Sequence, residues 1–158
     1  MVFLIGVDHI IQHDGFLWPA KAQAIEHFSE FLTKKVQDLS IAFLAEEFSE
    51  EALEKSSAST STVGAVASEL GVEYRLCDPM SRQRKEQGIS DDDRREEFWL
   101  QSLKDALNRN ILFICGESHL ATFRQKLLSQ GVPAEIVSKG WGRELIPNNA
   151  QHCATPGR

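Results

Sequence analysis

The feature that most constrains this chain is the alternation of short apolar runs with longer stretches whose apolar residues recur at helical spacing. The run Val2–Val7 is interrupted only by Gly6, the runs 41–45 and 111–115 are similar, and 72–77 and 134–137 read as two further strands. Strands that are apolar at nearly every position are buried on both faces, as in parallel sheets. Between them, helical spacing links Ile25, Phe28, Leu32, Val36 and Leu39, then Val63, Val66 and Leu70. It recurs in Phe98, Trp99, Leu103, Ala106 and Leu107, and in Leu120, Phe123 and Leu127. A repeated β-α-β pattern predicts an α/β fold: a five-stranded, mostly parallel, Rossmann-like sheet with right-handed crossovers and helices on both faces.

Boundary residues agree. Pro19 opens the first amphipathic stretch, the hydroxyl-rich segment 56–62 ends in residues that cap a helix, and Gly71 and Gly131 stop helices. Ser90 followed by three aspartates marks a helix start, because anionic side chains suit the positive end of the helix dipole. The domain is expected to span 1–146. The segments 56–62 and 80–88 are expected to be mobile, the second as a loop or a mobile helix, and the polar tail 147–158 to be poorly ordered.

In open α/β sheets, ligands bind beyond the carboxyl ends of the strands where the strand order reverses. Two such ends carry the same pattern: Gly6-Val7-Asp8-His9 after the first strand and Gly116-Glu117-Ser118-His119 after the fourth. Glu46 and Glu47 follow the second strand, and Asp78 follows the third. Two strand orders are common for such chains, 3-2-1-4-5 and 2-1-3-4-5. Only the first makes strands one and four neighbours, roughly 4.8 Å apart, so that both histidines enter one crevice. That order is therefore expected, with Glu46 or Glu47 arriving from strand two on the other side.

Two imidazoles and a carboxylate can hold a divalent transition metal, with metal–nitrogen distances near ~2.1 Å and positions left for water and substrate. His9, His119 and Glu46 or Glu47 are the expected ligands. Glu117 or Asp8 would orient a histidine or act as a general base. The same residues also serve plain turns and caps, with Ser118 as an N-cap. Cys115 beside the motif is either a nucleophile or a core residue, the latter suiting its place in a buried strand. Arg82 and Arg84, or Arg94 and Arg95, either clamp an anion or belong to solvated helix surface.

The motifs resemble those of the TraB/TIKI group and its erythromycin-esterase-like and ChaN-like relatives. Members carry an early Gly-x-x-His, a glutamate after the next strand and a late Gly-x-x-His. The segment 111–137 is similar to the family's closing strand, Gly-x-x-His-Leu, helix, glycine and strand. The family's intervening arginine falls on Arg94 or Arg95. The resemblance implies a metal-supported hydrolase site, since TIKI-type members are metal-dependent proteases and others are esterases, whereas ChaN-like relatives bind haem iron.

Charge narrows the partners. A net charge of −6 with scattered basic residues argues against nucleic acid or a membrane surface, both of which need clustered Lys and Arg. Three cysteines without framework spacing argue for a reducing compartment, and the cytoplasm is expected. The expected function is metal-dependent hydrolysis of an amide or ester in a small-molecule or peptide substrate, at the carboxyl ends of strands 1, 2 and 4. The alternative is a non-catalytic module that binds a small ligand or a protein partner, and a third reading is a subunit whose site has decayed to ordinary turns.

Overall fold

The computed structural model describes residues 1–8, 21–56 and 58–142. Residues 9–20, His9 among them, residue 57 and residues 143–158, which include the tail 147–158, therefore lie outside the described residues. The elements run β1 (Val2–Val7), α1 (Lys21–Asp38), β2 (Phe43–Glu46), α2 (Glu50–Ser56), α3 (Thr62–Leu70) and β3 (Glu73–Leu76). They continue with α4 (Ser81–Gln87), α5 (Asp92–Leu103), β4 (Ile111–Gly116), a 3-10 turn (Glu117–His119), α6 (Leu120–Ser129) and β5 (Ala134–Trp141).

The five strands form one all-parallel sheet in the order β3-β2-β4-β1-β5. This corrects the expected order 3-2-1-4-5 in one respect: β4 lies between β2 and β1. The inference that β1 and β4 are neighbours holds, since Val2 pairs with Ile111 and Val7 with Gly116. Adjacency of the two motifs does not decide which of them faces β2, and β1, β2 and β4 are all buried at every position, so apolarity could not rank them. The exchange places the end of β2 directly beside the end of β4, with Glu46 opposite Ile114.

Because strand side chains alternate between faces, the continuous apolar runs supply two cores. On one face Val2, Leu4, Phe43, Ala45, Ile111, Phe113 and Cys115 pack against Trp99 and Leu103 of α5 and Leu120, Phe123 and Leu127 of α6. On the other, Phe3, Ile5, Leu44, Leu112 and Ile114 meet Phe28, Leu32 and Val36 of α1 and Val63, Val66 and Ala67 of α3. Helices thus cover both faces. Among the described residues none is long and apolar enough to cross a membrane.

Local signals explain the boundaries near the site. Ser61 caps α3 by accepting from the Gly64 amide, and Gly71 ends it at φ 64°. Asp91, one residue after Ser90, caps α5 by accepting from the Arg94 amide at 2.9 Å. The segment 80–88 contains the helix α4, closed by Gly88 at φ 64°. The fifth strand runs eight residues, longer than 134–137, because Trp141 at its end is held against Phe28 of α1, with ring centroids 4.6 Å apart.

Candidate functional site

At the carboxyl end of the sheet, β2 ends in two adjacent carboxylates that strand alternation sends to opposite faces. Glu46 turns toward α3 and accepts hydrogen bonds from the Ser61 and Tyr74 hydroxyls. It is 1% exposed, and burial pushes its carboxyl up to about 7 against the smaller opposing effect of those two hydroxyls. Glu47 turns toward α5. Its Oε2 accepts from the Gly116 amide at 2.8 Å and its Oε1 from Arg95 Nη2 at 2.6 Å. The backbone extends the strand here, since the Glu47 amide donates to Ile114 O. The glycine of the second motif therefore anchors the carboxylate with its backbone.

His119 is the last residue of the 3-10 turn that follows β4, and is 4% exposed. Its Nδ1 lies 2.9 Å from Glu96 Oε1, which also accepts from Thr122 Oγ1 at 2.5 Å. Its Nε2 faces Glu47 Oε1 at 3.6 Å and Asp92 Oδ1 at 3.9 Å. The ring meets the edge of Trp99 at 4.9 Å between centroids. Burial lowers the tendency of His119 to hold a proton, and the Arg95 charge adds to that. The Glu96 hydrogen bond and the Glu47 and Asp92 charges outweigh them, so its pKa lies above the usual histidine value.

Arg95 links the strand ends. Its Nη2 contacts Glu47 and, at 2.9 Å, Asp78 Oδ1, and its guanidinium lies 5.4 Å over the Trp99 ring. Asp78 follows β3 and is fully engaged: Oδ1 accepts from Arg95 and from Trp99 Nε1 at 3.1 Å, and Oδ2 from Arg84 Nη2 at 2.6 Å.

Of the residues expected from the sequence, the structure brings Glu47 and His119 together with Arg95, and sends Glu46 to the opposite face. Glu117 opens the 3-10 turn with its Cα close against Gly6, and half-buried Asp8 follows β1. The carboxylate at His119 Nδ1 is that of Glu96. His9 lies outside the described residues; β1 delivers the chain beside the turn that carries His119, because Val7 pairs with Gly116. Cys115 is fully buried, and burial first, then the Glu47 and Glu96 charges, push its thiol well up, which suits a core residue rather than a nucleophile. Trp141 sits on α1, away from this cluster, and Arg94 donates to Gly88 O at the exposed end of α4.

Sequence reasoning missed Glu96 and Thr122. A signal was present for the first: Glu96, Trp99 and Leu103 are the buried residues of α5, so a carboxylate occupies the helix's core-facing stripe. A charge there needs a partner.

The fit to a metal follows from these contacts. Both Glu47 oxygens are taken, one by a guanidinium that already supplies positive charge, and Nδ1 of His119 is taken by Glu96. Among the described residues no group of three His, Cys, Asp or Glu side chains is arranged to hold a metal ion. The described residues do not form a metal shell as they stand.

No family model, curated protein or solved structure matches the chain.

Proposed function

We propose that this chain hydrolyses an amide or ester bond, with His119 as the proton-transferring group. The observation that supports the reading is the buried His119 imidazole, held at Nδ1 by Glu96 and directed at Nε2 toward Glu47 beside Arg95. The resemblance to the TraB/TIKI group implies a metal-supported hydrolase; the reading keeps the hydrolysis and assigns the proton transfer to these charged side chains.

Glu96 is an acceptor when ionised, so the neutral ring carries its proton on Nδ1 and offers a lone pair at Nε2. A water at Nε2 gives up a proton as its oxygen bonds to the substrate carbonyl carbon. The imidazolium so formed is stabilised by Glu96, Glu47 and Asp92. It returns the proton to the leaving nitrogen or oxygen as the carbon–heteroatom bond breaks. Arg95 stabilises the negative charge that develops on the carbonyl oxygen.

Activity should be sought on a panel of p-nitrophenyl esters and p-nitroanilides. His119→Asn should lower kcat by roughly 100- to 10,000-fold with the fold intact by near-ultraviolet circular dichroism. Wild-type activity should survive EDTA. Loss to EDTA with recovery on adding zinc would return the reaction to a metal, and an undiminished His119→Asn would remove the histidine from it.

The second reading is a ligand-binding module. It is favoured by the internal pairing of the cluster, in which Arg95 already donates to Glu47, Asp78 and Asp92. A wild type inert across the whole panel would select it.

A further inference from the structure

Beside the cluster, between α2 and α4, lies a cleft of about 510 Å³ that Glu47 and Arg95 share with Phe48, Ala52, Pro79 and Arg84. Its charged residues are Lys55, Arg84 and Arg95 against Glu47, Glu51 and Asp78, so formal charge cancels. The remaining hydrogen-bonding capacity does not cancel.

Every carboxylate oxygen in the cleft is engaged. Glu47 is held by Arg95 and the Gly116 amide, and Asp78 by Arg95, Trp99 and Arg84. Glu51 Oε2 accepts from the Ser81 amide at 2.8 Å, and its Oε1 from Ser81 Oγ at 2.9 Å and Lys55 Nζ at 2.7 Å. The donors are not exhausted. Arg84 is fixed by Nε to Pro79 O at 3.1 Å and by Nη2 to Asp78. Its Nη1, with two N–H groups, has no partner among the described residues, and its side chain is 39% exposed. Lys55 uses one N–H on Glu51 and keeps two.

We infer that this cleft binds the carboxylate of a substrate or product, with Arg84 as the anchoring residue and Lys55 as its second donor. The inference rests on the hydrolase reading for the chemistry performed, but not for the binding itself. A guanidinium whose other edge is tethered is preorganised, so little side-chain freedom remains to be lost when a carboxylate arrives. Phe48, Ala52 and Pro79 offer an apolar wall to the body of the ligand, and Glu47, which lines the cleft, has its Oε1 3.6 Å from His119 Nε2. A monoanion is preferred to a phosphate dianion, because the cleft is formally neutral and Arg84 and Lys55 are its cationic groups with N–H donors to spare.

The test is calorimetric titration of the full chain with N-acetylglycine, N-acetylglycinamide and inorganic phosphate. N-acetylglycine should bind at least tenfold more tightly than its neutral amide and more tightly than phosphate. Arg84→Gln should weaken N-acetylglycine at least tenfold, and Lys55→Gln, which touches no contact of Asp78, several-fold. Equal binding of acid and amide, tighter phosphate binding, undetectable binding of N-acetylglycine at millimolar concentration, or an unchanged Lys55→Gln would each overturn the inference. Turnover is not read in this assay, so a chain that binds but does not hydrolyse fails the hydrolase reading alone.

Discussion

Glu46 and Glu47 show how far one peptide unit separates two chemistries. Glu47 meets a guanidinium and an amide, whereas Glu46 meets only hydroxyls in an apolar layer. Its folded carboxyl keeps the proton to about 7, while the unfolded one releases it near 4.5. Stability from this group is therefore full below the unfolded value and lost as pH rises through 7, by on the order of 3 kcal/mol over that window. Glu46→Gln imitates the protonated form and retains an acceptor for Ser61 and Tyr74. Urea unfolding between pH 4.5 and 7.5 should show that the variant loses most of the wild-type decline. A variant with the same slope as wild type would mean that Glu46 is ionised in the fold.

At the scale of elements, the glycine of the first motif packs against the turn that follows the fourth strand. A Cβ on Gly6 would lie 2.5 Å from Leu120 Cδ1 and 3.1 Å from Glu117 Cα, so this glycine admits the turn that carries His119. Gly6→Ala should cost about 1–3 kcal/mol by overpacking and lower activity by displacing His119. Gly71→Ala, at φ 64° with open space around it, should cost about 1 kcal/mol from backbone strain and leave activity unchanged. If both variants lose stability but Gly6→Ala keeps full activity, the turn tolerates the shift and the glycine matters only for packing.

These contacts also mark what the sequence could convey. Apolar runs, Ser61, Gly71 and the aspartates before α5 carry their meaning within a few residues, so element identities and the neighbouring of β1 and β4 were legible. The place of β4 between β2 and β1 depends on which fully apolar strand meets which, and no local pattern encodes that. The pairing of Glu96 with His119 joins residues 23 positions apart through the packing of α5 on the sheet, so only folding reveals it.

At the scale of the molecule, two buried proton-binding groups lie on opposite faces of the sheet and bias stability in the same direction. Glu46 sits on the α1–α3 side. His119 sits on the α5–α6 side, with Glu96, Glu47, Asp92 and Arg95 around it. A histidine whose pKa rises on folding contributes fully below its unfolded value of 6.5 and loses that contribution as pH rises through the folded value. On the acid side, Glu51, held down to about 2 by Lys55 and Ser81, and Asp105, held below its usual value by Arg75, favour the fold above their unfolded pKa values. Asp105 is exposed and Glu51 half-buried at the rim of its cleft, so solvent screens their contribution. The stability maximum should therefore lie on the acid side of neutrality, near about pH 5, with a steady decline toward pH 8. General repulsion among the excess acidic residues would slope the same way, so the two groups must be separated by substitution. Because Glu46 and His119 share no partner, their effects should add. Glu46→Gln should flatten the decline below pH 7, His119→Gln the part above 6.5, and the double variant nearly all of it. Urea midpoints at pH 5, 6, 7 and 8 for the four proteins decide the matter: a wild type as stable at pH 8 as at pH 5, or a double variant with the full wild-type slope, would place the pH dependence elsewhere.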